Sequence, residues 1–461
     1  MMNKSYCETR ITILFLSLAL GAAGSVHASP HDGIYTRLYR NGPYPPVLPG
    51  GVTVATDTAS EFIQIPPDIK FTGKFTVAKV APTVDFAYYP GQDHVGNPWS
   101  NWGDGVAVGG KYYSSIGDHK FDAYVYEYDT TTRNLRILLE TTAFLNMPTN
   151  DYRPGKIHSR IGVGKDGCLY YSTHRGSASY TDGEGGKKRN YKGDWVFKTD
   201  PATGKTEIMM HGEVPESIPV GQFDPERLIY YGGTQQTETF FAFDCAGKKL
   251  LFKSEPGQGP QRYMIFSRTT SRVYFVSSSN AVAGTMGRYD PVTGEMTTLK
   301  LKLDRRFDIR SCTEELPGGI VYVTDFAGNL WKFDVATEQP EWVAALPIGK
   351  MDGTITSLDA DAAGRYLYYV GGSHGGIATE GMPIKQFDTR TGTIKVIAFL
   401  NPFYAKTYNY NPDGTYGSAL SPDGATLYVT MNGCLPPGAG AKNWYAVALF
   451  VIHIPESERK P

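Results

Sequence analysis

Six segments of this chain share one pattern, a strand-like run that ends in Asp and a turn. They are YEYDTTTRN (Asp129), FKTDPATGK (Asp200), FAFDCAGKK (Asp244), GRYDPVTGE (Asp290), WKFDVATEQ (Asp334) and KQFDTRTGT (Asp388). From Asp200 to Asp334 the steps are 44, 46 and 44 residues. A period of that length holding four short strands is one blade of a β-propeller, where each copy buries its apolar faces against its neighbours. The expected fold is therefore all-β and radial.

Seven units follow, at 95–141, 156–214, 217–255, 261–301, 307–346, 355–400 and 415–455, the second carrying the Gly-rich insertion TDGEGGKKRNYKG. Each has an aromatic second strand: KYYSSIG, CLYYSTH, RLIYYGG, RVYFVSS, GIVYVTD, YLYYVGG and TLYVTMN. Turns such as GKDG, LPGG, DAAG and SPDG precede several of them, and Gly- or Asp-rich turns beside aromatic, β-branched runs mark hairpins. The seventh unit stops after its third strand, YAVALFVIHIP, with His453 at the Asp position. The orphan segment GKFTVAKVAP (73–82) is expected to supply the missing outer strand, which closes the ring and removes an exposed edge. The expectation is a seven-bladed β-propeller closed by an N-terminal strand. Eight blades, with residues 50–90 forming one more, is the alternative.

The termini read differently. Residues 1–28 combine Lys4 and Arg10, the apolar run ITILFLSLALGAAG and a small-residue cleavage pattern at Val26-His27-Ala28, as a signal peptide does. The run is too short to span a bilayer. Secretion or periplasmic location is the expectation, with a Pro-rich extension over 29–71 wrapping the outside, the propeller over 72–456 and a C-terminal tail over 457–461. Without residues 1–28 the chain keeps 43 basic and 45 acidic residues (45 less Lys4 and Arg10, 46 less Glu8). That near balance argues against nucleic acid and against a membrane surface as partner. Cys168, Cys245, Cys312 and Cys434 lie in different blades without any CxxC pair, so buried thiols are expected rather than a zinc-thiolate centre.

Propeller geometry sorts the polar residues. An inner strand starts on the face where the second strand ends. His119, His174, Arg175 and His374 end second strands, while His158, Arg262 and Arg310 start inner ones. Trp99, Asn101, Trp102 and Asp104 open the first blade, and Tyr408, Tyr410 and Tyr416 precede or open the seventh. His94 joins this face from an inter-blade connection, and His211 lies on an outer strand away from it. Any one of these residues alone reads as a solvated loop side chain. Their coincidence on one concave face reads as a binding surface for a polyanion or sugar. His158 and His174 come from adjacent strands of one hairpin, and are expected at a solvent-facing rim of the channel. Two close imidazoles divide acid and base roles or share a metal, with His119 or His374 as a third ligand. No HExxH, Walker loop or GxSxG elbow is present.

The strings NWGDG, KYYSSIGDH, GKIHSRIGVGKDGCLYYSTHRG and YEYD, mainly within 95–200, resemble secreted bacterial seven-bladed polysaccharide lyases, notably ulvan lyases. The resemblance implies β-elimination at a uronic acid, in which His and Tyr move the protons and His or Arg holds the carboxylate. By position His158 and His174 match the paired histidines. Tyr180, Tyr191 and Tyr263 are the candidates for the Tyr, and Arg175, Arg262 and Arg310 for the neutralising Arg. The expected catalytic set is therefore His158, His174, Arg175, Arg262 and Tyr180, with Trp102, His119, Arg310, His374 and Tyr416 binding substrate. The expected partner is an acidic polysaccharide or another glycan, and a divalent metal is left open. Two other functions fit the same face: a non-catalytic glycan- or protein-binding propeller, and a metal-dependent propeller resembling lactonases or streptogramin lyases.

Overall fold

The computed structural model describes residues 46–67, 69, 73–92, 100–117, 122–148, 151, 154–175, 191–213, 216–346, 355–434 and 446–460. The expected signal peptide, residues 29–45 of the extension, and His94, Trp99, Asp118, His119 and Tyr180 lie outside them. Seven sheets, antiparallel but for one short added strand, form the blades of a propeller. In the first, strands Val106–Val108, Lys111–Gly117, Ala123–Asp129 and Asn134–Glu140 run from the channel outward. Among the described residues no helix is long and apolar enough to cross a membrane.

The repeated Asp has a local task. Its carboxylate accepts the backbone N–H two residues on, at 2.9 Å for Asp129, Asp200, Asp244, Asp290 and Asp388 and 2.8 Å for Asp334. That Asx-turn fixes the hairpin from third to fourth strand, which is why the repeat is legible. The aromatic second strands fill the spaces between blades. Tyr170 stacks on Phe223 with centroids 4.1 Å apart, Tyr274 meets Phe333 at 4.9 Å, and Tyr112 stacks on Tyr428 at 5.1 Å. Such pairs add roughly 0.5–1.5 kcal/mol each beyond their buried area. Cys168, Cys245, Cys312 and Cys434 are buried thiols without disulfides.

The ring closes through an N-terminal strand, but not the expected one. Thr83–Tyr88 pairs antiparallel with Ala446–His453, setting Val84 opposite Ile452 and Phe86 opposite Phe450. Ala55–Asp57 adds a fifth strand outside it. Within 73–82 only Thr76–Val77 is a strand, and it runs parallel to Thr393–Phe399 of the sixth blade. The reason is side-chain chemistry. TVDFAY can bury Val84 and Phe86 completely, whereas GKFTVAKVAP carries two lysines and ends in Pro. Asp85 on the closing strand also explains His453. The imidazole Nε2 lies 3.1 Å from the Asp85 carboxylate, which Arg133 of the first blade also holds at 2.8 Å. The C-terminal turn Glu456–Arg459 packs back on the ring, and Glu458 accepts the Lys79 and Val80 N–H groups at 2.7 and 3.1 Å and pairs with Lys395 at 2.8 Å.

Candidate functional site: a cationic pocket at one mouth of the channel

The pocket begins with how the blades approach each other. A Cβ at Gly103 would sit 2.6 Å from the Ile157 carbonyl oxygen, and one at Gly417 would sit 2.5 Å from that of Gly103. Only glycine lets the lead-in to the first blade wedge between the second and seventh blades here. Asn101 then locks the wedge. Its side-chain amide donates to the Gly103 and Ser115 carbonyls, both at 2.9 Å, and its side-chain oxygen accepts the Tyr416 N–H at 3.1 Å. The Asn101 N–H donates to the Asn432 side chain at 2.6 Å. Trp102 and Tyr416 are thereby presented side by side, with ring centroids 4.8 Å apart.

Inner strands alternate their side chains with period two. Lys156, His158 and Arg160 therefore follow one another down the channel. Lys156 Nζ lies 3.9 Å above the Trp102 ring. His158 meets His174 edge to face at 5.6 Å and Tyr416 at 5.8 Å. The Tyr416 hydroxyl is hydrogen-bonded to His374 Nε2 at 2.5 Å, and the Arg262 guanidinium lies close enough to interact with the same hydroxyl. The Arg310 guanidinium lies 5.5 Å from the Tyr416 ring centroid. Thus His158, His174, Arg262, Arg310, Trp102, His374 and Tyr416 share one end of the channel, and Arg175 adjoins His174.

The expected solvent-facing rim is a correction. His158 and His174 are only 8% and 4% exposed, and Arg310 is 3% exposed. His374 is exposed and Arg262 half-buried, so they form the mouth above the imidazoles. The burial has a cause in the wedge just described: Tyr416 packs on His158, Lys156 pairs across from His174, and Trp102 in turn packs on Tyr416 and Lys156. Burial, then Arg262, His174, Lys156 and Arg310, push the His158 imidazole well below its ordinary pKa. Burial, then Lys156, Arg262 and Arg175, do the same to His174. Both rings are therefore neutral at pH 7, since a proton on either would face a cluster of cations in low dielectric. His158 Nε2 and His174 Nδ1 have no hydrogen-bond partner among the described residues. Lys156 and Arg262 likewise have no ion-pair partner there.

Two Tyr candidates fall away from this pocket. Tyr191 donates to Asp194, and Tyr263 donates to Asp104 at 3.0 Å. Tyr416, expected as a binding residue, is among the described residues the tyrosine that meets His158. Asp308, two residues before Arg310, holds Arg306 at 3.2 Å. Among the described residues no group of three or more His, Cys, Asp or Glu side chains is placed to hold a metal ion.

Below the pocket lies a layer that sequence reasoning missed. Ser357 donates to Asp104 at 2.7 Å and Ser418 donates to Asp359 at 2.5 Å, while the two hydroxyls lie 2.8 Å apart. Burial pushes the Asp104 carboxyl up to about 7, with Arg160 opposing and Asp359 adding to the rise. A cavity of about 440 Å³ opens beneath, at the opposite mouth, lined by Arg160, Gln222, Arg268, Glu314 and Asp359 among others. The signal was present in the sequence as W-x-D, Y-x-S and S-x-D at two-residue spacing on three inner segments. Short polar residues at that spacing are too common to single out without the ring. No known protein family matches the chain, and no curated protein is significantly similar to it in sequence.

Proposed function

We propose that this propeller is an exported lyase that cleaves an acidic, uronate-containing polysaccharide by β-elimination. The observation that carries the reading is the Tyr416 hydroxyl, hydrogen-bonded to His374 and close to Arg262, beside the buried neutral imidazole of His158 and near the Arg310 guanidinium. A uronate C5 proton is poorly acidic while the carboxylate is ionised. Arg262 and Arg310 against that carboxylate stabilise the enolate-like transition state, as oxyanion donors do. His158 takes the C5 proton, the electron pair forms the C4–C5 double bond, the bond from C4 to the leaving oxygen breaks, and Tyr416 gives that oxygen a proton. His374 returns the proton to Tyr416 from solvent at the mouth.

The test is an ultraviolet assay for unsaturated uronate product, with the purified chain against ulvan, pectate, alginate and glycosaminoglycans. One polymer giving an absorbing product that His158→Ala fails to give supports the reading. No product from any polymer overturns it. A second reading, a glycan-binding propeller without catalysis, is favoured by the deep burial of the imidazoles. It predicts saturable binding of one polymer that survives His158→Ala. The metal-dependent lactonase-like reading has no three-ligand set to stand on among the described residues.

A further inference from the structure

We propose that an oxyanion entering this pocket is bound together with a proton, and that Lys156 is the residue that takes the proton. The inference rests on the reading of the pocket as an anion site and adds a role for a residue outside the proton-transfer steps above.

The geometry is unusual for a lysine. Lys156 is 6% exposed, on the strand that carries His158, with Nζ held 3.9 Å over the Trp102 ring. Among the described residues its neighbours are basic, neutral or aromatic. His174 and Arg175 come from the second strand of its own blade, paired with it so that Lys156 faces His174. Arg262 comes from the fourth blade, Arg310 from the fifth, His374 from the sixth and Tyr416 from the seventh. The carboxylates on packed elements are engaged elsewhere: Asp194 with Tyr191 and Thr173, Asp104 with Ser357 and Tyr263, and Asp413 with the Gly376 and Ala378 N–H groups. Burial, then Arg262 and Arg175, lower the Lys156 pKa well below its ordinary value. The empty pocket therefore favours the neutral amine. An oxyanion seated between Lys156 and Arg262 reverses the local field. The indole face then holds the ammonium that forms, since a cation over Trp is attracted by the ring quadrupole. His158 and His174 start from a lower ordinary pKa than an amine, so at about pH 8 the proton goes first to Lys156.

Ligand class follows from the donors: one ammonium and two or more guanidinium groups suit a carboxylate or a sulfate ester. The experiment is calorimetric titration of the full chain with sodium glucuronate and with sodium sulfate, each in Hepes and in Tris at about pH 8. The expected result is a heat that differs between buffers by the uptake of about one proton per anion, with affinity rising about tenfold per unit fall in pH. The glucuronate and sulfate arms tell which oxyanion the pocket takes. Lys156→Met should bind more weakly, and Lys156→Arg should bind well, both with buffer-independent heat. Buffer-independent heat in the unaltered protein overturns the inference, and that measurement needs no variant to fold. So does undiminished uptake in Lys156→Arg, or no saturable binding of either anion up to ~100 mM, a range that covers even millimolar sites. Proton uptake without any unsaturated product keeps this inference and removes the lyase reading; product without uptake does the reverse.

Discussion

Replacing Asp104 by Asn should make the protein's stability respond to pH in a way that surface carboxylates cannot. Asp104 is buried in the channel layer, with Ser357 and Tyr263 donating to its two oxygens. Its carboxyl is raised from the ordinary 3.8 to about 7. A rise of that size corresponds to ~4 kcal/mol of preference for the protonated form in the folded state. The sign follows from proton counting: between these two values the folded chain binds the proton and the unfolded chain does not. Stability from this group is fully present below pH ~4, is lost as pH rises toward 7 and is gone above it. From pH 8 to pH 5 the native protein should gain ~2.7 kcal/mol relative to Asp104→Asn, whose amide is neutral throughout. The comparison must be made variant against native at each pH, because the buried imidazoles act in the opposite direction over part of the range. Urea denaturation at several pH values gives the difference curve. It should be flat above pH 7 and climb below it. A difference curve flat from pH 8 to pH 5 would refute the reasoning, and would mean that Arg160 keeps Asp104 ionised.

The histidine pair makes the complementary prediction. With both pKa values depressed in the folded state, stability should fall as pH drops below about 6.5, by up to ~1.4 kcal/mol per pH unit for each imidazole. His158→Gln should halve that slope in the same denaturation series; an unchanged slope would place the proton elsewhere. Tyr416→Phe removes the hydroxyl that is hydrogen-bonded to His374 and lies close to Arg262, so turnover on whichever uronate polymer is cleaved should drop by about 10²–10⁴. Its stability should change by only about 1 kcal/mol, the scale of one hydrogen bond. Phe86→Ala, in the closing strand, should cost about 3–5 kcal/mol, because the ring is fully buried 4.8 Å from Tyr404 and 5.0 Å from Phe450. A loss below 1 kcal/mol would show that ring closure does not depend on Thr83–Tyr88.

How much of this was legible in the chain depends on the range of the forces involved. The blade repeat was, because the Asp of each copy bonds its own turn two residues on and the aromatic second strand alternates locally. Those patterns are written within nine residues. The sequence by itself therefore determined the all-β class, the seven units and the face that gathers His158, His174, His374, Arg262 and Arg310. The closing strand was not legible at the right place. GKFTVAKVAP and TVDFAY are adjacent and both strand-like; the two lysines and the Pro weigh against the first, and the packing of Phe86 against Phe450 and Tyr404 settles the second. Tertiary structure also decided that the imidazoles are buried and neutral rather than solvated, because Tyr416 and Arg262 reach them from blades distant in sequence. It decided which tyrosine meets them, and it turned Lys156 from a flanking charge into an amine with no carboxylate to pair with among the described residues. Protonation in a low-dielectric pocket depends on every charge that the ring brings together, and the order of residues along the chain does not contain those distances.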